Sequence, residues 1–482
     1  MKTATGKARS GLSRVILKAM GIFGGVQVLS ILCSIVRTKL VALWIGPVGV
    51  GLFGIFNQAL EMINMATNLG VRNSSVRDIS QAVELRDTSL IQRIITVVRR
   101  WSLWLGMGGA LITLALAPVL SRFSFGYYSH VWHFAALAVA VLFMALTNGE
   151  YAVLQGLSRL KRLARVTVAG TIGGLLISIP MFYFLRERSV LPSIVAYAMC
   201  LVVAALILKD RQYPPASVTA GQTVKMGAGF IKLGVFMTLG SFVSMLASYA
   251  FVSWLNTRGG TQAVGFYQAG YTIVEKYAGL VFAALGMEFY PRLARVSASG
   301  RRLATFVSHE INIALMVLAP LLMALVLLRE PLICLLYRAD FLVITAYVSW
   351  GAVGTLLRAV SWCMAFVMLA KGDGKLFLLT ETLSAVTVLT LGMLCYSRWG
   401  IDGLGYAYLA SYAVYTVIVG VVYFAHYRLK LSPWCWLSLA ATGFACVVMV
   451  LLVDRHLWIG AIILLSIVAA VALRRTWLSW KG

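Results

Sequence analysis

Charge is scarce in this chain, and negative charge is scarcer still. Only 12% of its 482 residues are Asp, Glu, Lys or Arg, and just 16 are acidic. A soluble domain carries about 25% charged residues. With 60% hydrophobic residues, the chain has too little polar surface for a water-soluble fold. Ten prolines in the whole length leave its apolar runs largely uninterrupted. The seven cysteines lie mostly inside those runs and form neither a C-x-x-C nor a ligand spacing, so neither disulfides nor a metal site is implied. The five histidines (130, 133, 309, 426, 456) fall at run ends or in connections, again without ligand spacing. Strand-length stretches of alternating polarity are missing too, which excludes a membrane β-barrel.

What the chain has instead is long apolar blocks, for example residues 103–120, 134–146, 311–328 and 436–453. Blocks of about 18–20 residues cross ~30 Å of hydrocarbon as helices. Fourteen spans fit, near 16–45, 50–70, 102–121, 132–156, 164–185, 190–208, 231–255, 265–288, 311–330, 343–369, 376–396, 403–425, 436–453 and 458–473. The expected fold is therefore an all-α polytopic membrane protein. Its first residues resemble the start of a signal peptide. However, the apolar run continues through Leu32 with no small-x-small cleavage site, so it reads as an uncleaved first helix.

A net charge of +26 invites a nucleic-acid reading. The charges are spread in small clusters between apolar blocks, which is what the positive-inside rule produces, and nucleic acid is set aside. Most of the 42 Lys and Arg fall in segments that share one side if the N-terminus is cytoplasmic. An even number of spans then returns the basic C-terminus to the cytoplasm. The segment after the second span, near 76–100, has apolar residues at helical spacing among charges. It is either an amphipathic helix on the inner membrane surface or a helix packed on the protein.

The chain also repeats itself. VGLFGIFNQALE at 50–61 matches VGFYQAGYTIVE at 264–275, and each ends in a glutamate ten residues after its glycine, Glu61 and Glu275. Gly156-x-x-Arg159-Leu160 and Gly372-x-x-Lys375-Leu376 follow spans four and ten. Arg77 and Arg292 follow spans two and eight. The offsets are 214, 216 and 215 residues. A six-span unit keeps both copies the same way up, so this is a parallel repeat with substrate expected between the halves. The expected division is a six-helix bundle in 1–213, its repeat in 214–428, and two additional spans in 429–482.

Polar residues line the spans in stripes. Asn57, Glu61, Asn64 and Asn68 share one face of span two, and Gln27, Ser30, Ser34 and Arg37 share one face of span one. Span seven carries Thr238, Ser241, Ser244 and Ser248. Span eight carries Gln268, Thr272 and Glu275. Span four carries Asn148, Tyr151 and Gln155 with Glu150 close by, and span ten has Arg358 near its middle. A charged residue at mid-membrane costs about 2.5–3.5 kcal/mol on insertion scales. The stripes either join helices by ion pairs such as Arg37–Glu61 or line one polar cavity. Their recurrence in both halves favours the cavity. Arg37 and Arg358 are the candidate substrate-binding cations, because guanidinium suits phosphate oxygens. Glu61, Glu275 and Glu150, with Asn57, Asn64 and Asn68, are the candidate cavity and coupling groups. Of Glu61 and Glu275, one is expected to be paired and structural and the other to titrate, and the spacing does not say which.

Several segments resemble the polysaccharide flippases of the multidrug/oligosaccharidyl-lipid/polysaccharide exporter superfamily, in particular O-antigen (Wzx-type) translocases. The carrying residues are RTKLVALWIGPVGVGLFGIF at 37–56, LGVRNSSVRD at 69–78 and LQGLSRLK at 154–161. In the second half they are VGFYQAGYTIVEKY at 264–277, PRLARVS at 291–297 and LAKGDGKLFLLTE at 369–381. REPLICLLYRADF at 329–341 is similar to the matching segment of the lipid II flippases. The resemblance implies two helical bundles around a central cationic cavity. It implies alternating-access export of an undecaprenyl-pyrophosphate-linked glycan across a bacterial inner membrane, coupled to a proton or Na+ gradient. It implies no other cofactor, no catalytic residue and no bound metal, and a polysaccharide polymerase and chain-length regulator as partners. The alternatives it leaves are a lipid II flippase and a cation-coupled drug antiporter of the same fold. A glycosyltransferase, ligase or polymerase fits poorly. The outer loops are short, and their acids (Glu187, Asp340, Asp402, Asp454) are scattered singly.

Overall fold

The structure is a computed structural model that describes residues 25–481. The basic segment 2–18 and the start of the first expected span at 16–24 lie outside the described residues. Every regular element described is helical. Among the described residues, ten helical runs are long and apolar enough to cross a membrane. Besides the continuous 38-residue Thr88–Phe125, three of them are far longer than one crossing needs, because a 48-residue helix would run ~70 Å against ~30 Å of hydrocarbon. Each of these breaks. Residues 160–207 are interrupted by the turn Arg186–Ser189, the run 238–275 at Gly260, and the run 374–426 at Gly400. Gly400 sits at φ 60°, a backbone conformation that costs glycine nothing and an L side chain a good deal. Counting both halves of each broken run, and adding the helix Pro47–Asn68, recovers the fourteen expected spans.

Two compact units form, Met1–Arg258 and Gly259–Gly482. The first contains helices α1 (Gly25–Trp44), α2 (Pro47–Asn68), α3 (Val71–Glu84), α4 (Thr88–Phe125), α5 (Val131–Gly156), α6 (Leu160–Leu185) and α7 (Val190–Ile207). It also holds α8 (Ala220–Tyr271) as far as Arg258. Compactness thus divides the chain at 258/259, whereas the repeat offset divides it at 213/214. The second unit contains α9 (Ala278–Val296), α10 (Gly300–Leu327), the short α11 (Arg329–Leu336), α12 (Thr345–Ala370), α13 (Gly374–Val421), α14 (Pro433–Asp454) and α15 (Trp458–Lys481). The last two helices join its core through Met449, Val450, Val453 and Ala461.

Helix α3 settles the choice left open for the segment after span two. Val71, Ile79 and Ala82 are buried in one cluster with Ile91, Ile95 and Val98 of α4 and Val153 of α5. Most of its apolar face is taken up by the protein, with Val83 and, just past the helix end, Leu85 left exposed. The linker after α7 is tied down as well. Asp210 is 3% exposed and pairs with Arg162 (2.9 Å) and Arg159 (3.4 Å). Arg99 of α4 donates to the Asp210 carbonyl (3.3 Å), Arg100 to the Val218 carbonyl, and the Ala216 amide to Thr96 Oγ1 (3.0 Å).

Candidate functional site

In the first unit the charge to be explained is Arg37, thirteen positions into the apolar helix α1. Its guanidinium lies over the Phe53 ring of α2, 4.7 Å from the centroid, and over the Tyr197 ring of α7, 4.4 Å away. Ring faces carry negative quadrupole charge, so they hold a cation that lipid would reject. They do not accept hydrogen bonds as a carboxylate does, and they leave the guanidinium fork open. Among the described residues no carboxylate pairs with Arg37; the Arg37–Glu61 bridge that spacing allows does not form. Arg72, at the start of α3, repeats the arrangement. It lies 5.1 Å from the Tyr151 ring, and Thr167 donates to the Tyr151 hydroxyl (3.2 Å).

The polar stripe of α2 divides into three kinds of group. Asn57 Nδ2 donates to its own helix at the Phe53 carbonyl (2.9 Å). Glu61 is exposed. The Oδ1 atoms of Asn64 and Asn68 are buried with no hydrogen-bond partner, as is Oε1 of the neighbouring Gln58. Buried acceptors without donors cost about 1–3 kcal/mol each, so these are places where a ligand or water completes the structure. The stripe on α8 is quieter. Thr238 and Ser244 donate to the carbonyls of Gly234 and Gly240, four residues back, and so need no cavity.

Glu150 has to be reassigned. Its side chain is buried, and Arg99 grips both oxygens, Nε to Oε1 at 2.7 Å and Nη2 to Oε2 at 3.0 Å. A bidentate pair of this kind neutralises the carboxylate. Glu150 joins α4 to α5 beside the Asp210 cluster and is not a free cavity group. Spacing along α5 could not reveal a partner 51 residues away.

In the second unit Glu275 stands in a π-helical turn, Thr272–Tyr277, directly after α8. Such a turn adds one residue per helical turn and swings a side chain off the regular α-helical face, and it is frequent at functional sites. Arg358 of α12 meets Glu275 Oε1 at 2.7 Å and reaches its carbonyl at 3.4 Å. Tyr408 of α13 donates to Oε2 at 2.6 Å, with Tyr412 beside it at 3.5 Å. Arg358 also lies over the Phe282 ring at 4.7 Å and the Tyr412 ring at 5.8 Å. Pair members are 17–18% exposed. The three segments meet because the backbone is bare where they cross. A Cβ on Gly270 would stand 2.2 Å from Tyr347 of α12. Glu381 of α13 accepts a further bond from Tyr415.

This corrects the expectation for Arg358. Its charge is matched by Glu275 and is not open to an anion. Glu275, one of the two repeat glutamates, is paired with this arginine. Within the apolar helices of the first unit the cation without a carboxylate is Arg37, as expected, and exposed Arg72 at the start of α3 sits on a ring in the same way. Arg72 stands in the LGVRNSSVRD motif, and its position just after Gly70 at the end of a polar-striped helix was the available signal. Tyr408 and Tyr412, four residues apart and facing a carboxylate on another element, were legible only as aromatic helix residues.

A family model described as polysaccharide biosynthesis protein matches residues 79–346. The lipid III flippase of Escherichia coli (strain K12) is 23% identical over 385 residues, covering 78% of this chain and 90% of that protein. The lipid III flippase of Shigella flexneri matches to the same extent. Among solved structures, an inward-facing multidrug resistance MATE family transporter of the MOP superfamily superposes with TM-score 0.68 at 16% identity, covering 86% of this chain and 95% of the other. The lipid II flippase MurJ in an inward closed conformation superposes with TM-score 0.64 at 11% identity, covering 95% and 99%. The fold is that of these multi-pass transporters.

Proposed function

The chain belongs to the polysaccharide biosynthesis protein family, and from that premise we propose that it flips a lipid-linked oligosaccharide across a bacterial inner membrane. The cargo is an undecaprenyl-pyrophosphate-linked O-antigen or other surface-polysaccharide unit, moved from the cytoplasmic to the periplasmic leaflet by alternating access. The lipid III flippases of similar sequence support a lipid-linked glycan. The observation that carries the reading is Arg37, a cation inside the membrane held by Phe53 and Tyr197 instead of a carboxylate. A pyrophosphate supplies the two-oxygen acceptor that the guanidinium fork lacks. Arg72 offers a second such fork in the same unit, and the unpartnered amide oxygens of Asn64 and Asn68 suit sugar hydroxyls.

We assign Glu61, exposed on α2, to couple export to a proton or Na+ gradient. Both termini are placed in the cytoplasm by the positive-inside rule. A polysaccharide polymerase and a chain-length regulator would receive the flipped unit. A cationic drug fits an arginine-bearing site poorly.

The test is an Arg37→Gln chain expressed at normal level in a strain that depends on this gene. Surface polysaccharide should fall at least tenfold while the lipid-linked unit accumulates in the inner leaflet. Full export would sink the cationic anchor, and accumulation of lipid II would move the substrate to the cell-wall precursor.

A further inference from the structure

A groove of about 500 Å³ opens in the second unit around the first turns of α10, lined by Val296, Arg301, Arg302, Thr305, Phe306 and His309. Residues 302, 305, 306 and 309 recur at i, i+3, i+4 and i+7, one face of the helix. Arg301, Arg302 and His309 are exposed, and among the described residues neither arginine pairs with a carboxylate. Thr305 uses its hydroxyl proton on the Arg301 carbonyl (3.0 Å), which leaves its lone pairs free. The floor is apolar and fixed. Phe306 stacks on Phe289 (5.8 Å, 9° between planes), which in turn packs on Trp362.

The charge arrangement is unusual for a helix start. The first turn of α10 contains no acidic residue, and its N-cap Ser299 makes no side-chain cap. Acids normally occupy this place, because the helix N-terminus is already positive. Here two guanidinium groups add to that charge. The groove therefore combines concentrated positive potential with an apolar floor. It also lies at the end of a helix long and apolar enough to cross the membrane, which is the depth of lipid headgroups.

We propose that this groove binds the headgroup of an anionic phospholipid, the phosphodiester on Arg301 and Arg302 and the first acyl carbons against Val296 and Phe306. A basic pocket at the end of a spanning helix, floored by apolar side chains, matches an acidic amphiphile in both of its parts. Inorganic phosphate shares the anionic chemistry but leaves the apolar floor unused. The site shares no residue with Arg37 or Arg72 and does not depend on the transport reading.

Native mass spectrometry of the full chain, offered phosphatidylglycerol or phosphatidylcholine, tests this. Wild-type protein should retain phosphatidylglycerol preferentially. Arg301→Gln/Arg302→Gln should weaken that retention roughly 30-fold, as expected for two lost cationic contacts. Thr305→Trp fills the groove while keeping both charges, and it should weaken retention as well. A thermal melt checks that each variant is folded. Equal retention of the two lipids, or unchanged retention in both variants, overturns the proposal. Full competition by millimolar inorganic phosphate overturns it too, since the ligand would then be a free anion.

Discussion

Arg37 and Arg358 are arginines within apolar helices of the two units, on spans that are not equivalent in the repeat, and a counter-charge separates their surroundings. Each guanidinium lies 4.7 Å from a phenylalanine ring, Phe53 or Phe282, and each faces a tyrosine, Tyr197 or Tyr412. Only Arg358 has a carboxylate as well, with a tyrosine hydroxyl completing it. Aromatic faces make an arginine tolerable inside a membrane, and a counter-charge decides whether it stays available. The second unit holds a closed pair, which fixes three helical segments against one another. The first unit holds an open cation, a second one at Arg72, and buried amide oxygens without donors. The first unit puts its buried carboxylates, Glu150 and Asp210, into arginine clusters that join α4, α5 and the linker, away from Arg37.

The largest effect should come from opening the closed pair. Glu275→Gln or Arg358→Met leaves a mostly buried charge without its partner, a loss of about 3–5 kcal/mol that a large fall in melting temperature would report. The double variant should recover most of that stability and still export polysaccharide. A stable double variant with no export would break the comparison, because the paired arginine would then serve transport as well.

The open seat should behave in the opposite way. Arg37→Gln gives up only cation–π contacts, about 0.5–2 kcal/mol, and removes a charge from the membrane. Melting should shift little, while binding of undecaprenyl pyrophosphate to the purified protein weakens at least tenfold. A melting loss as large as that of Arg358→Met would mean that Arg37 has a structural partner after all.

A smaller difference should appear at the turn between α4 and α5. His130 stacks on Phe125 (3.9 Å, 7°), and burial, with His133 nearby, holds its pKa below the ordinary histidine value. The unfolded chain therefore takes up the proton first as pH falls. The stabilisation is present above about pH 6.5 and is lost progressively below it. Hydrogen exchange in the 126–134 segment should rise below that pH and not in the second unit. His130→Phe should reduce the dependence, and an unchanged dependence in that variant would assign it to another group.

Much of the fold was legible because a membrane span is a local property. About 20 apolar residues announce themselves without reference to anything distant. The breaks at Gly260 and Gly400 fall between spans that the sequence already separates, 231–255 from 265–288 and 376–396 from 403–425. The amphipathic stretch after span two was legible as a helix but not in its placement. Ile79 lies against Gly156, 77 positions later, where an added Cβ would meet it at 2.6 Å. At the candidate site Arg37 was legible as costly in lipid, hence functional. Glu150 and Arg358 were misjudged for one reason. Whether a buried charge is free depends on what lies across the helix interface, and helical spacing describes only one helix.

The chain by itself determined that it lives in a membrane, how many times it can cross, and which side chains lipid would not tolerate. Those follow from transfer free energies of single residues and short runs. Tertiary structure decided which of those intolerable groups are satisfied. It gave Glu275 to Arg358 and Tyr408, gave Glu150 to Arg99, and left Arg37 on two aromatic faces. Ion pairing is short-ranged and directional, and its partners come from segments tens of residues apart, so only packing can choose among them.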